Sequence, residues 1–318
     1  EGWRQLEAES NRELLTLCGG LYIGDPEAQV FTGSLHSAQV NNLDHEVLDA
    51  EEIRRRFPTM NPRDHVLGLY EANAGFTRPE ETTFANVEVA RRKGAEIHYN
   101  EPVTHWSTIP SGGCEVVTSQ GHYGADKLVI TPGAWAPQLL VESAFPIRIE
   151  RQIVYWFSPE FTAAVPYKRY TSDEHPVFVE ETDGNGEMYG LPMVDGPEGG
   201  LKVAYFRKGV DTTPQTIDRV IHPQEIEAMQ RRALELFPRL TGPLVQAKTC
   251  MYSTTPDQNF IIGILPQSPQ VVTACGFSGH GFKFVPVVGE IIADLVIDGE
   301  TQHDISLFDP MRAALASN

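Results

Sequence analysis

A glycine-rich segment near the C-terminal end is the densest group of residues that could do chemistry. It reads GFSGHGFKF and lies between a buried strand pattern and an apolar helix pattern. Gly276, Gly279 and Gly281 let the backbone approach a ligand closely, and a helix N-terminus offers unpaired N–H groups and positive partial charge. Lys283 adds a full positive charge. The segment predicts a site for an anion or for a group that becomes anionic, although a simple connecting turn has the same composition.

A second segment, KTCMYS, carries Cys250 among polar residues. Such a cysteine can be a nucleophile, a point of covalent attachment or a small buried hydrophobe, and the last role is usual for an isolated cysteine. A thiol nucleophile normally needs a base. No histidine is close to Cys250 in sequence, so a cysteine hydrolase would need a distant base such as His280, and no orienting acid or oxyanion element is apparent.

A third segment, DKLVITPGAW, places Gly133 at the carboxyl end of an apolar strand pattern. Ligands bind at that edge in open α/β sheets. A plain strand-to-helix turn explains the same residues about as well.

The N-terminal part of the chain has patterns of both helix and strand. Residues 3–15 predict an amphipathic helix, and LYIG and VFTG predict strands joined by an Asp-Pro turn. Asp49 and Glu52 form a capping box for a short helix that a proline ends. A longer helix begins at Pro79 and continues to Gly94.

Strand patterns dominate the middle of the chain. EIHY, VTHW and EVVTS alternate as short strands, and KLVIT is apolar enough to be buried on both faces. Residues 148–210 are strand-rich, residues 214–237 return to helix, and a buried strand, VVTACG, precedes a last helix that ends near Gly299.

This order of elements predicts a mixed α/β (α+β) fold. The α/β blocks alternate with an antiparallel, β-rich block, which suggests two domains whose segments interleave along the chain.

Composition excludes several functional classes. With 318 residues, 41% of them hydrophobic, the chain can bury a large core. A formal net charge of -18 disfavours binding to nucleic acid. The four cysteines form no C-x-x-C pair and no histidine cluster accompanies them, so we expect no metal site and no disulfide scaffold. No apolar run reaches about 18 residues, so we expect no membrane span. We expect a cytoplasmic monomer.

Together these segments resemble one family. ADKLVITPGAW, RQIVYWF, MYGLP, GLKVAYF, KTCMYSTTPDQNFIIG and GFSGHGFKF stand in the order and spacing of the sarcosine oxidase and N-methyltryptophan oxidase family of flavoprotein amine oxidases. The C-M-Y and GFSGHGFKF segments are the most specific of these matches.

The resemblance implies a Rossmann-like FAD-binding domain that lacks its first βαβ unit and is interleaved with an antiparallel, β-rich substrate domain. The FAD-binding domain would comprise residues 1–17, 80–147 and 252–318, and the substrate domain residues 18–79 and 148–251. FAD would be bonded through sulfur to Cys250. The resemblance further implies that Gly279, His280 and Gly281 cradle the pyrimidine end of the flavin and that Val103 and Gly133 lie along FAD. The full set of implied cofactor-binding residues is Val103, Gly133, Trp135, Cys250, Met251, Gly276, Gly279, His280, Gly281 and Lys283.

The resemblance also implies catalytic roles. Lys283 would bind the substrate carboxylate, Lys202 would promote the reaction of reduced flavin with oxygen, and Tyr189 would lie near the substrate. Preorganised positive charge stabilises both developing anions. Without the resemblance, each lysine would be interpreted as a solvated surface cation.

Two departures concern the substrate pocket. Phe206 stands where the family commonly has His, and Phe178 stands where sarcosine oxidase usually has Met. Both changes make the pocket more apolar and favour an N-alkyl amino acid bulkier than sarcosine. A hydrophobic pocket discriminates by only ~1–3 kcal/mol per methylene, so the exact amine stays open.

A third departure is the missing G-x-G-x-x-G fingerprint for the FAD pyrophosphate. The nearest match, Gly184-Asn185-Gly186, has the context of a hairpin. The expectation is that the first βαβ unit, with the family's substrate-binding arginine, lies outside the sequence given and that activity of this portion alone is doubtful.

The sequence therefore predicts an oxidase that takes a small secondary amine and O₂. A dehydrogenase that uses another electron acceptor and a non-catalytic remnant without FAD remain as alternatives. Lys202 favours the oxidase, and the missing fingerprint favours the remnant.

Overall fold

The computed structural model describes residues 1–181 and 186–315. The α-helices are α1 (Gly2–Ser10), α2 (Gln29–Val40), α3 (Ala50–Arg56), α4 (Pro79–Arg92), α5 (Ala136–Leu139), α6 (Pro223–Leu236) and α7 (Val285–Ile297). The strands are β1 (Leu15–Leu17), β2 (Gly20–Gly24), β3 (Glu46–Asp49), β4 (Leu67–Glu71), β5 (Gly75–Thr77), β6 (Val103–Thr108), β7 (Cys114–Thr118), β8 (His122–Ala125), β9 (Leu128–Ile130), β10 (Arg148–Phe157), β11 (Val177–Glu181), β12 (Glu187–Leu191), β13 (Leu201–Tyr205), β14 (Val210–Asp211), β15 (Leu244–Thr254), β16 (Ile261–Leu265) and β17 (Ser268–Cys275).

Nine of the described strands form one large sheet. Its order is β14-β10-β13-β12-β11-β2-β4-β3, and β15 pairs with β10. All pairs are antiparallel except β2 with β11. One face of this sheet is covered by α6, and the side chains between them form the largest buried cluster. The face of the sheet opposite α6 is therefore available for a site.

A smaller sheet lies in the C-terminal part of the chain. Here β17 pairs with β16 antiparallel and with β9 parallel, and α7 packs against β16 and β17. Both β9 and β17 run toward the same edge because they are parallel. A β6-β7-β8 meander and a β1-β5 pair complete the described strands.

The buried side chains collect in separate clusters. The largest cluster draws on residues 21–240, and two others draw mainly on residues 114–149 and 260–315. The domain limits proposed above stay a prediction.

The mixed α/β class and several elements are confirmed. Asp49 accepts a hydrogen bond from the Glu52 N–H at 2.8 Å, as the capping box predicts. The helix that begins at Pro79, the strand-rich middle and the last helix are present. The hairpin expected at Gly184 and Asn185 lies outside the described residues.

Five predictions of local structure are wrong. Residues 214–222 precede α6 and are not helical. VFTG lies in α2, where Phe31, Leu35 and Ala38 pack inward at helical spacing. The first helix ends at Asn11, whose φ of 53° is left-handed. EIHY joins no strand among the described residues. The KLVIT strand is not buried on both faces. Its Val129 is 40% exposed, because β9 is the edge strand of its sheet and the described residues do not cover that side chain.

Candidate active site

Alternation along the central strands places the predicted chemical residues on one face of the large sheet. Lys202 pairs across the strands with Trp156 and Leu191, and Tyr189 pairs with Ala204. Since successive side chains in a strand point to opposite faces, Lys202 and Tyr189 lie on the same face. The opposite face carries Phe157, Leu201 and Met188, which are fully buried against the α6 side.

Cys250 reaches this face through β15. It pairs with Gln152 of β10, and ten cross-strand pairs hold the two strands together. Cys250 is half-buried and forms no disulfide. Burial raises the pKa of its thiol, while the positive charge of Lys202 opposes that rise. A thiol with a raised pKa is a poor nucleophile, which weighs against the cysteine hydrolase.

Lys202 is held between an aromatic ring and the interior. Its ammonium lies 5.4 Å from the centre of the Trp156 ring, and the exposed Lys248 flanks the same ring at 6.0 Å. Burial lowers the pKa of Lys202, and the positive charge of Lys248 lowers it slightly further. The electrostatic interaction with Cys250 acts in the opposite direction. Lys202 is therefore a partly desolvated cation.

The glycine-rich loop is fastened to β15. Ser278 is fully buried, and its N–H donates to the Ser253 carbonyl at 2.9 Å. Its hydroxyl lies 3.2 Å from the Thr255 hydroxyl. Gly279 has a φ of 79°, and a Cβ there would overlap the Tyr252 ring. Glycine is needed at this position for both reasons.

This loop borders a cavity of about 570 Å³, here called the glycine-loop cavity. The carboxyl ends of β9 and β17 and the start of α7 meet there. Its lining comprises Thr131, Gly133, Met251, Tyr252, Ser253, Ala274, Gly276, Phe277, Ser278, Gly279, Gly281, Phe282, Val285, Val288, Gly289 and Ile292. Its volume is within the range of small-molecule sites.

A second cavity, here called the aromatic cavity, has a volume of about 450 Å³. It shares Tyr252 and Gly279 with the glycine-loop cavity, so the two adjoin. Its lining comprises Tyr22, Gly75, Val177, Phe178, Val179, Glu187, Tyr189, Gly190, Leu191, Phe206, Arg207, Tyr252, Gly279, His280 and Lys283.

Three rings form one wall of the aromatic cavity. The Phe206 ring lies edge-on to both tyrosines, with centroids 6.4 Å from Tyr189 and 6.1 Å from Tyr252. Burial raises the pKa of both tyrosines, and their hydroxyls interact. The rings therefore stay neutral and present π-faces and hydroxyls, a combination that suits an alkylammonium group.

Basic groups of the glycine-rich loop line the same cavity. The Lys283 side chain is exposed, but the surrounding protein removes part of the water around its ammonium group. This desolvation lowers the pKa of Lys283. Burial lowers the pKa of His280, and the charges of Arg207 and Lys283 lower it further, so the imidazole is held neutral. Lys283 is placed to attract a carboxylate.

The other predicted site residues are more dispersed. Lys202 and Cys250 line neither cavity and lie beside them on the sheet face. Phe178 reaches the aromatic cavity, but its ring packs into the core, 5.0 Å from the Phe237 ring. Its face of β11 is opposite to that of Tyr189, because Phe178 pairs with Gly190. The prediction that the Phe178 ring shapes the substrate pocket is therefore not supported by its direction.

Three predicted FAD contacts lie at the start of β6 and in the turn after β9. Gly133 lines the glycine-loop cavity with a φ of 54°, and a Cβ there would meet open space. Val103 is 41% exposed and lines a separate cavity of about 190 Å³, which shares Thr131 with the glycine-loop cavity. Trp135 is 46% exposed and lines neither.

Sequence reasoning missed several residues of the aromatic cavity, including Tyr252, Arg207 and Glu187. Tyr252 could have been found, because the alternation that brings Cys250 to the sheet face also brings Tyr252 there. Arg207 directly follows Phe206 in the sequence, but it belongs to no recognisable motif, so nothing in the sequence indicated a role for it. Glu187 belongs to a strand whose register depends on β13.

Comparisons with known proteins identify the family of this chain. Residues 1–295 match the family described as FAD dependent oxidoreductase. The chain belongs to that family. It is 49% identical over 317 residues to a monomeric sarcosine oxidase of Streptomyces avermitilis, a match that covers 99% of this chain and 81% of the relative. The predicted membership of the sarcosine oxidase and N-methyltryptophan oxidase type is confirmed.

More distant proteins share the fold of this oxidoreductase. An N-methyl-L-tryptophan oxidase of Salmonella heidelberg is 29% identical over 96% of this chain and 79% of the relative. The solved structure of NikD, an unusual amino acid oxidase essential for nikkomycin biosynthesis, superposes with a TM-score of 0.82 at 22% identity, over 98% of this chain and 81% of that chain. Among the described residues, no helix combines the length and apolar character needed to cross a membrane.

The glycine-loop cavity fits a flavin. Gly133 and Gly276 have positive φ, the space beside Gly133 is open, and α7 begins at the cavity. The family uses FAD. A backbone cradle at a helix N-terminus is the kind of site that stabilises negative charge on a bound ring.

Proposed function

We propose that this oxidoreductase oxidises the C–N bond of N-methyl or other secondary amino acids with O₂. For an N-methyl substrate, one amine, one O₂ and one water would give the primary amino acid, formaldehyde and H₂O₂. When bound, FAD supplies the two-electron redox chemistry. The protein supplies binding, orientation and charge.

The aromatic cavity is the observation that supports this proposal most directly. It combines a carboxylate-binding cation, Lys283, with three rings around a space that adjoins the glycine-loop cavity. An amino acid with an alkylated nitrogen needs this pairing, since its carboxylate seeks a cation and its alkylammonium suits aromatic faces. The monomeric sarcosine oxidase relative at 49% identity supports the same reaction class.

The proposed roles of individual residues follow from their surroundings. Lys283 holds the substrate carboxylate, and the neutral rings of Tyr189 and Phe206 pack against the N-alkyl portion. Lys202 provides a partly desolvated cation for the negative charge that develops as oxygen is reduced. His280 stays neutral beside the loop and does not compete for the carboxylate.

The proposed cofactor contacts centre on the glycine-loop cavity, and Cys250 lies beside it on the sheet face. Cys250 tethers the flavin through sulfur, and the backbone at Gly279 and Gly281 holds the pyrimidine end. Gly133 and Met251 line the same cavity. Val103 and Trp135 stay predicted contacts of the more distant part of FAD.

The proposal is tested by oxygen consumption. The full-length protein, purified with its FAD, is given a panel of N-methyl amino acids and the matching primary amino acids. We expect oxygen uptake with the N-methyl compounds, and return of half the consumed oxygen when catalase is added, because catalase converts H₂O₂ to O₂ and water. Reduction of an artificial acceptor without oxygen uptake would replace the oxidase with a dehydrogenase. No turnover with any amine would overturn the proposal.

We also propose that the enzyme acts as a monomer in the cytoplasm. Its four cysteines are all free, which suits a reducing compartment. Sedimentation of the full-length protein at assay concentration tests the first point, and fractionation of the native cells tests the second.

A further inference from the structure

Arg207 is held in a fixed position at the wall of the aromatic cavity. It is half-buried and lies two residues beyond the end of β13, with a left-handed φ of 56°. Its guanidinium stacks on Phe206, 4.3 Å from the ring centre. An arginine held in this way has already lost much of its side-chain freedom, so a ligand bound to it costs little additional ordering.

The hydrogen-bond partners of Arg207 are neutral. Its Nε donates to the Ser278 carbonyl at 3.4 Å, one terminal nitrogen donates to Gln258 Oε1, and the other lies 3.2 Å from His280 Nδ1. In the described part of the chain, no carboxylate lies within ion-pair distance of it. A guanidinium has five N–H donors, so these contacts leave donors and a full charge unused.

The charges that line the aromatic cavity are unbalanced. Arg207 and Lys283 are both cations of this lining, and both charges act on the neutral imidazole of His280. Glu187 is the carboxylate in the described lining, and burial raises its pKa although Arg207 opposes this. With both lysine and arginine charged and Glu187 ionised, the lining has a net charge of +1.

We infer that Arg207 binds a second carboxylate on the substrate, so that the preferred substrates are N-alkyl derivatives of dicarboxylic amino acids. This inference rests on the proposed function, because it assumes that Lys283 takes the α-carboxylate. Arg207 then determines specificity rather than the reaction itself.

Charge complementarity distinguishes this substrate class from simpler ones. An N-alkyl amino acid with one carboxylate is a neutral zwitterion, which leaves Arg207 partly buried without a hydrogen-bonded anion among the described residues. A dicarboxylic amino acid has a net charge of −1 and matches the lining. The fork of a guanidinium also matches a carboxylate in geometry.

The test compares substrates and a matched pair of variants. Steady-state kcat/KM is measured by oxygen uptake with N-methyl-L-glutamate, N-methyl-L-aspartate and N-methyl-L-alanine. We expect the natural enzyme to prefer a dicarboxylic substrate and Arg207→Gln to lower its kcat/KM by about 10- to 100-fold, the effect of losing a hydrogen bond to a charged group. N-methyl-L-alanine should be nearly unaffected. Lys208→Gln, which removes the adjacent cation, should leave kcat/KM unchanged for the dicarboxylic substrates and for N-methyl-L-alanine.

The outcomes separate this inference from the proposed function. If the natural enzyme oxidises none of the three compounds or other N-methyl amino acids, the proposed function fails. If it oxidises N-methyl-L-alanine at least as well as both dicarboxylic compounds, the oxidase stands and the role of Arg207 is overturned. Equal losses for all three substrates in Arg207→Gln would also overturn it. Arg207→Lys keeps the charge, and it should retain the dicarboxylic preference if Arg207→Gln fails to fold.

Discussion

Lys202 and Trp156 face each other in register on neighbouring strands, and the lysine ammonium lies 5.4 Å from the indole ring. The β10 and β13 ladder therefore sets the position of this cation. Its half-buried location lowers its pKa and leaves it poorly hydrated. A poorly hydrated cation stabilises a nearby developing anion more strongly than a solvated one.

Replacement of Lys202 by Met should slow the reaction of the reduced enzyme with oxygen by about 10²- to 10³-fold, the effect of removing one preorganised electrostatic group. The rate of reduction by substrate should change much less. Rapid mixing of chemically reduced enzyme with oxygen measures the first step alone. Lys248→Met is the control, because Lys248 flanks the same ring but is exposed. Equal oxygen rates in the two variants would contradict the assigned role.

Cys250→Ala should convert a covalently bound flavin into a dissociable one. Wild-type protein precipitated with acid should keep its yellow colour in the pellet, and the variant should release flavin to the supernatant. Cys18→Ala provides the control, since Cys18 is also free and half-buried. Flavin in the wild-type supernatant would remove the tether while leaving the enzyme class intact.

Lys283→Met should raise KM by about 10- to 100-fold for substrates that carry a carboxylate, because a hydrogen bond to a charged group is lost. An N-methyl amine without a carboxylate should be turned over with nearly the same kcat/KM by both proteins. The comparison uses initial rates over a range of substrate concentrations. A similar loss for both kinds of amine would show that Lys283 acts through the loop rather than through the carboxylate.

Gly279→Ala should destabilise the loop by about 1–2 kcal/mol from the left-handed backbone alone. The added Cβ would also displace the Tyr252 ring, which both cavities share. We expect a lower midpoint of thermal unfolding and weaker retention of FAD. Gly33→Ala is the matched control, because Gly33 lies within α2 with space for a Cβ. That substitution should leave stability unchanged or slightly higher.

The sequence identified fewer than half of the residues that line the two cavities, mainly those that belong to local motifs. GFSGHGFKF and KTCMYS are local signals, so Gly279 and Cys250 could be identified without a structure. Arg207 could not, because its meaning depends on Ser278 and His280, which are about seventy residues away in sequence. The register of β11 with β12 likewise decides that Phe178 faces the core. Long-range register is not encoded in any short segment.

The pH dependence of stability should reflect His175. This side chain is fully buried beside the rings of Tyr170 and Phe237, and its Nδ1 lies 2.8 Å from the Pro176 carbonyl. Within the described residues its Nε2 has no partner. Burial lowers the pKa of His175 to about 4, whereas an unfolded histidine titrates near pH ~6.5.

The sign of the effect follows from proton uptake. Above pH ~6.5 both states hold a neutral imidazole, so the group makes no pH-dependent contribution. As the pH falls toward about 4, His175 becomes protonated in the unfolded chain but stays neutral in the folded protein. The free energy of unfolding therefore decreases by up to about 3 kcal/mol. His175→Asn keeps a donor for the Pro176 carbonyl but cannot titrate, so its urea midpoint should fall less steeply between neutral and mildly acidic pH. His36→Asn, at an exposed position of α2, should retain the wild-type slope. Parallel slopes in wild type and His175→Asn would show that other groups control the acid sensitivity of this fold.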